Sequence, residues 1–328
     1  MVIGKITGTG SAIPQKRLTN DDLAKIVDTS DEWISTRTGI KARHISDSQT
    51  ATSDLAVEAA EKALVSAGIK AEQIDLIILA TSTPDFINFP STACVVQEKL
   101  GAVNSAAFDL SAACSGFVYA LTTADQYIRS GMYKTILVIG ADTLSKFVDW
   151  EDRNTCVLFG DGAGAVVLQP SENESGIIAS YLGADGKGGP YLCTPVGGSR
   201  KRTDQESLRL KQNCVTMNGR EVFKFSTKII VEGVKKVIEM AGLKLSDIDL
   251  LVPHQANTRI INHAVEKLGL SLEKVCVNIH DYGNTSAATI PIALDEAVQD
   301  NKLKPGDKVV TIGFGGGLTW GANVITWG

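Results

Sequence analysis

The second half of this chain resembles its first half. The segment AEKALVSAGIKAEQIDLIILATSTPD, ending at Asp85, returns as VKKVIEMAGLKLSDIDLLVPHQANT, ending at Thr258. Ala67-Gly68 then matches Ala241-Gly242, and Ile74-Asp75-Leu76 matches Ile248-Asp249-Leu250, both at a spacing of 174 residues. Further on, VVQEKLG ending at Gly101 answers AVEKLG ending at Gly269, AAFDL answers VCVNI, and TILVIG answers KVVTIG. Within each copy, segments of helical period alternate with short β-branched runs, the pattern of βαβ units wound around a mostly parallel sheet. The repeat predicts two duplicated α/β halves, residues 1–170 and 171–328, with mixed sheets packed about a pseudo-twofold axis. Each half closes with a glycine-broken apolar stretch, FGDGAGAVVLQP and GFGGGLTWGANVITWG, expected as hairpin strands at a sheet edge. Residues 170–218, rich in glycine, serine and charge, are expected as a surface insertion that includes 197–213.

Composition narrows the function classes. Lysine and arginine number 32 against 37 acidic residues, a balance of −5. That offers no global electrostatic reason to bind nucleic acid or an anionic membrane. No apolar run reaches the length of a membrane span, and the N-terminus lacks the pattern of a secretory signal, so the expectation is a cytoplasmic protein. The six cysteines are scattered, with no zinc-site spacing, which points to reduced thiols and no metal. G-D-G-A-G lacks the lysine of a P-loop and opens no long helix, so no nucleotide loop is expected there.

The repeat also shows where unusual residues fall. Cys114 follows the strand AAFDL and opens a helical run, where a helix N-terminus and its free N–H groups stabilise a thiolate. Asn284 is expected in the matching slot of the second half, and His254 ends the strand IDLLVPH. Ligands of doubly wound sheets bind outside the carboxyl ends of strands, and all three residues sit there. Taken singly, each has an ordinary alternative: a packing thiol, a hydrogen-bonded structural histidine, a turn asparagine. A helix beginning near Gly219 places Arg220, Lys224 and Lys228 on one face.

The segments DTSDEWISTRTGI, DLSAACSGF, FGDGAGA, VPHQANTR, YGNTSAA and GFGGGLTWG, in order over nearly the whole chain, resemble those of the β-ketoacyl-acyl-carrier-protein synthase III family. The resemblance implies a thiolase-like fold and a homodimer. It implies that Cys114, His254 and Asn284 form the catalytic triad, with backbone N–H groups of Cys114 and Gly316 as the oxyanion site. The substrates implied are acyl-CoA, which acylates the cysteine, and malonyl-acyl carrier protein, with no cofactor beyond the coenzyme A thioester itself. Thr29, Trp33, Arg37, Arg153 and Asn257 match positions of the coenzyme A tunnel, and Phe89 and Phe314 would bound the acyl pocket. Lys224 and the run Gln255, Ala256, Asn257, Thr258, Arg259 match carrier-protein docking positions, whereas Arg220 stands where the family more often has a smaller polar residue.

Three other readings compete with this one. The order cysteine, histidine, asparagine also fits a papain-like hydrolase, but the C-G-S-C-W motif is absent. A starter condensing enzyme of the same fold in polyketide or quinolone biosynthesis would use the same triad. A non-catalytic binding module would be expected to have lost one of the three residues.

Overall fold

In the computed structural model, which describes residues 2–173 and 175–328, the repeat becomes two copies of one layered unit. The first sheet contains β1 (Ile3–Ala12), β2 (Leu76–Ala80), β3 (Ala106–Leu110), β4 (Ile136–Thr143) and β5 (Asp161–Ser171), in the spatial order β1-β5-β4-β2-β3. The second contains β6 (Gly176–Ala184), β7 (Leu250–Pro253), β8 (Lys308–Gly315) and β9 (Thr319–Thr326), in the order β6-β9-β8-β7. A single parallel bridge from Leu251 to Val275 stands beside β7 where β3 stands beside β2. The two orders are therefore the same, with β2–β3, β2–β4 and β7–β8 parallel and the outer pairs antiparallel.

Helices fill the layers around these sheets. After α1 (Asp31–Thr38), α2 (Thr52–Ala67) and α3 (Thr92–Leu100) cover the outer face of the first sheet. Helix α4 (Gly116–Ser130) runs between the sheets, and α5 (Gly219–Met240) and α6 (Thr258–Leu268) cover the outer face of the second. Helix α7 (Thr289–Gln299) is the partner of α4 in the central layer, where Phe117, Leu121, Ile290 and Leu294 share one core with strand residues of both sheets. Covering on both faces is why β2 reads Leu-Ile-Ile-Leu-Ala without alternation. No helix among the described residues is long and apolar enough to cross a membrane.

Three expectations change. The glycine-broken stretches are not edge strands: β5 lies between β1 and β4, and β9 between β8 and β6. Their glycines serve close packing, since a Cβ on Gly164 would stand 2.7 Å from Pro291 Cβ in α7. Nor is 170–218 an insertion throughout, because residues 176–184 form edge strand β6; the remainder includes the short antiparallel pair Leu192–Cys193/Thr216–Met217 and, between its strands, the helix Gln205–Arg209.

The third change concerns Asn284. Helix α4 is entered through the turn Ala113–Ser115 and α7 through the turn Ser286–Ala288. Ala113 and Ser286 both hold left-handed backbone, φ 47° and 52°, so they are counterparts and Cys114 pairs with Ala287. Asn284 therefore precedes the slot rather than filling it. The second half has a short helix, Ile279–Tyr282, ahead of its turn, which displaced the apparent register.

Candidate active site

The two strand-to-helix turns meet at the centre of the molecule. Cys114 is buried on the first turn, with non-glycine left-handed backbone immediately before it, a strained geometry that persists where surrounding packing imposes it. The end of β8 closes on it from the other half. A Cβ on Gly315 would lie 2.8 Å from Cys114 Cβ and 3.1 Å from its sulfur, so only glycine admits this approach. Gly316, next in the chain, lines the cavity beside Cys114.

His254 follows the end of β7 and is buried, its backbone N–H bound to Ile312 O at 2.8 Å. The edge of its ring meets Phe314, with centroids 5.2 Å apart. Its Nδ1 lies 2.7 Å from Thr289 Oγ1. Burial pushes its pKa down to about 3, so the imidazole is neutral near neutral pH. Asn284 is nearly buried; its backbone N–H donates to Leu158 O, and its side-chain Oδ1 accepts the Ser286 N–H at 2.8 Å. Cys114, His254 and Asn284, with Phe314, line one narrow cavity of about 90 Å³.

Burial adds an effect on Cys114 that acts against the helix end. Burial pushes the thiol up to about 12; the Ser286 hydroxyl acts against this and the Asp142 carboxylate adds to it. Burial thus opposes the thiolate that the helix end favours. Asp142, at the end of β4, is a residue that sequence reasoning missed. Wholly buried, it accepts from Ser82 N at 2.7 Å, Thr83 Oγ1 at 2.9 Å and Ala287 N at 3.1 Å, tying the first half to the second turn. Burial raises its pKa, while those donors oppose the rise. An aspartate inside the apolar run ILVIGADT was the available signal.

The narrow cavity opens both ways. It shares Cys114, Phe159 and Leu192 with a second cavity of about 350 Å³, whose walls include Leu144, Cys193 and Val215 and which reaches the surface at Ser82, Ser111 and Thr194. It shares Leu158, Met217, Phe223 and Asn257 with an outer groove of about 840 Å³ that carries Trp33, Arg37, Arg153, Arg220 and Arg259. The Arg37 and Arg153 guanidinium carbons stand 4.7 and 5.0 Å from the Trp33 ring centroid. Thr29 is not among the groove-lining residues; its hydroxyl is buried without a hydrogen-bond partner among the described residues. Asn257 caps α6 and donates to Arg37 O at 3.0 Å.

The remaining sequence candidates separate. Phe314 reaches the site, but Phe89 is 84% exposed in an apolar loop with Phe86 and Ile87, and lines neither cavity beside Cys114. Lys224 and Arg259 are exposed, with Arg259 over the Phe223 ring; Ala256 lines the narrow cavity, and Thr258 is half-buried against Gly39. Lys228 pairs with Glu232. Gln255 is a correction: it is 1% exposed and cannot face a docking protein. Its amide donates to Pro253 O and Cys276 O and accepts from the N–H groups of Asn278 and Ile279.

Comparison with known proteins agrees with this geometry. The family models of 3-oxoacyl-[acyl-carrier-protein (ACP)] synthase III and of its C-terminal region match residues 108–186 and 238–327. The β-ketoacyl-[acyl-carrier-protein] synthase III of Caldanaerobacter subterraneus is 56% identical over 98% of this chain and 97% of its own. The crystal structure of the 3-oxoacyl-[acyl-carrier-protein] synthase III of Aquifex aeolicus superposes with a TM-score of 0.91 at 52% identity, covering 99% of this chain and all (100%) of that one. The priming β-ketosynthase of the R1128 polyketide pathway superposes with a TM-score of 0.92 at 33% identity, covering 99% of this chain and 96% of its own. The chain has the thiolase-like fold and belongs to the 3-oxoacyl-[acyl-carrier-protein] synthase III family.

Proposed function

We propose that this protein joins an acyl group, carried from coenzyme A onto Cys114, to malonyl-acyl-carrier protein, giving a β-ketoacyl-carrier protein and opening fatty acid synthesis. The observation that carries the assignment of roles is the meeting of Cys114, His254 and Asn284 in one narrow cavity between a second cavity and a cationic groove. The coenzyme A nucleotide lies in the groove, where Trp33 with Arg37 and Arg153 suits a purine, and guanidinium groups suit its phosphates. The acyl chain enters the cavity on the other side of Cys114, lined by Leu144, Phe159 and Val215.

In the first half-reaction the Cys114 sulfur attacks the thioester carbonyl, the carbon–sulfur bond to coenzyme A breaks, and the thiol proton ends on the departing sulfur. The Cys114 and Gly316 N–H groups hold the oxyanion. In the second, the malonyl carboxylate leaves as CO2 and its bonding electrons pass into an enolate, whose oxygen is held by hydrogen bonds from Asn284 and His254 in a site that excludes water. The enolate carbon attacks the acyl-Cys114 carbonyl, the carbon–sulfur bond to Cys114 breaks, and the departing thiolate takes up a proton from solvent to restore the thiol. A neutral His254 suits this role, since a donor is needed and a charged one is not.

Residues 1–170 supply the nucleophile and 171–328 supply His254 and Asn284. Lys224 and Arg259, exposed beside the groove, dock the acidic carrier protein. The free edge of β3 and the exposed Phe86, Ile87 and Phe89 lie close together, since Thr92 and Ala93 just past that loop donate to Asp109 of β3. A second copy pairing there makes the homodimer, and only such a partner would allow Phe89 to bound an acyl cavity.

Intact-protein mass spectrometry with a panel of acyl-CoA thioesters tests the assignment. One added acyl group, absent in Cys114→Ser, is expected; His254→Ala and Asn284→Ala should still acylate but release no CO2 from malonyl-carrier protein. CO2 release retained in both would overturn the assigned roles.

A further inference from the structure

A neutral imidazole carries one N–H, and which nitrogen holds it is set by the hydrogen bond of the other. Among the described residues the one hydrogen-bond partner of the His254 ring is the Thr289 hydroxyl, 2.7 Å from Nδ1, with both side chains buried. That hydroxyl has a second acceptor within reach, the Ser286 carbonyl at 3.0 Å. The Ser286 carbonyl, however, already accepts the Thr289 backbone N–H in the turn leading into α7. A carbonyl oxygen can accept two hydrogen bonds, but the backbone N–H keeps this one satisfied when the hydroxyl turns to Nδ1, and the nitrogen contact is the shorter, 2.7 against 3.0 Å.

We infer that Thr289 is a positioning residue that donates its hydroxyl hydrogen to Nδ1 of His254 and so places the single ring proton on Nε2, making the histidine a hydrogen-bond donor. Burial, which keeps the ring neutral, is what makes the tautomer matter: an imidazolium would donate from both nitrogens whatever Thr289 did. The same turn polarises the second donor, because the Ser286 N–H occupies Asn284 Oδ1. Both assumed donors to the enolate thus take their polarity from residues 286–289. This inference rests on the reading of His254 as a donor during decarboxylation.

The test compares Thr289→Val, which keeps the shape and loses the hydroxyl, with Thr289→Ser, which keeps it. Nitrogen NMR of isotopically labelled histidine in the full-length protein reads the His254 tautomer directly, with His254→Ala identifying the signal. The expected result is Nε2–H in the native protein and in Thr289→Ser, and loss of that preference in Thr289→Val. Malonyl decarboxylation should fall about tenfold to a hundredfold in Thr289→Val, bounded by the loss of one oxyanion donor, and be restored in Thr289→Ser. Acylation by acyl-CoA should stay unchanged in both, which shows the site intact. An Nδ1–H tautomer in the native protein, or full decarboxylation by Thr289→Val, overturns the inference. Full decarboxylation by His254→Ala would instead overturn the donor role of the histidine, a distinct outcome.

Discussion

The Ser286 backbone N–H donates to Asn284 Oδ1 at 2.8 Å, and this one bond decides which end of the amide faces the cavity. With the oxygen engaged, the Nδ2 group is left to donate to a substrate oxygen. Asn284→Asp keeps the bond but replaces the donor with an oxygen of the same size. Its malonyl decarboxylation should fall about a hundredfold or more, while acylation of Cys114 by acyl-CoA persists; a CO2-release assay beside mass spectrometry separates the two steps.

His254 gives a pH signature. Its pKa is near 6.5 in the unfolded chain and about 3 when buried. Above about pH 6.5 the ring is neutral in both states and costs nothing. Below that, the unfolded chain takes up a proton that the folded one refuses, so stability falls by about 1.4 kcal/mol per pH unit until about pH 3. Urea unfolding of the native protein and His254→Asn at pH 7 and pH 5 should show the variant gaining about 2 kcal/mol relative to the native protein at the lower pH.

Gly315→Ala should cost activity before it costs the fold. The added methyl would stand 2.8 Å from Cys114 Cβ and must push the nucleophile or β8 aside. Overpacking of this kind costs about 1–3 kcal/mol, which a thermal melt would register as a modest drop. Mass spectrometry should show acylation slowed far more than that drop explains, since the strain falls on the reacting sulfur.

Trp33→Ala should act on substrate binding alone. The ring holds Arg37 and Arg153 within cation–π distance and is remote from the triad cavity. Losing about 1–2 kcal/mol of ring contact should raise KM for acyl-CoA about tenfold with kcat nearly unchanged. Acylation from a short thioester lacking the nucleotide should be unaffected.

Gln255→Ala should behave as a core lesion. Removing its amide leaves Pro253 O, Cys276 O and the N–H groups of Asn278 and Ile279 to find other partners. An unsatisfied buried group costs about 1–3 kcal/mol, so a clear loss in denaturant stability is expected. Lys224→Glu and Arg259→Glu should instead leave stability unchanged and raise KM for the carrier-protein substrate.

The sequence by itself determined the architecture, because the repeat is carried by local patterns: helix periods ending at matching left-handed glycines, Gly101 and Gly269, and apolar runs that can only be buried strands. It also singled out Cys114, His254 and Asn284, since polar residues at strand ends stand out against apolar runs. What only the tertiary structure decided depends on contacts distant along the chain. Asn284 falls before the slot matching Cys114, because the slot is defined by φ at Ala113 and Ser286, which no residue pattern displays. Gln255 looks like a surface residue in VPHQANT and is buried, because Cys276 and Asn278 close over it from another loop. The Cys114 thiol is pushed up by burial that β8 and the second turn impose together across the pseudo-twofold axis, which no local pattern around the cysteine displays.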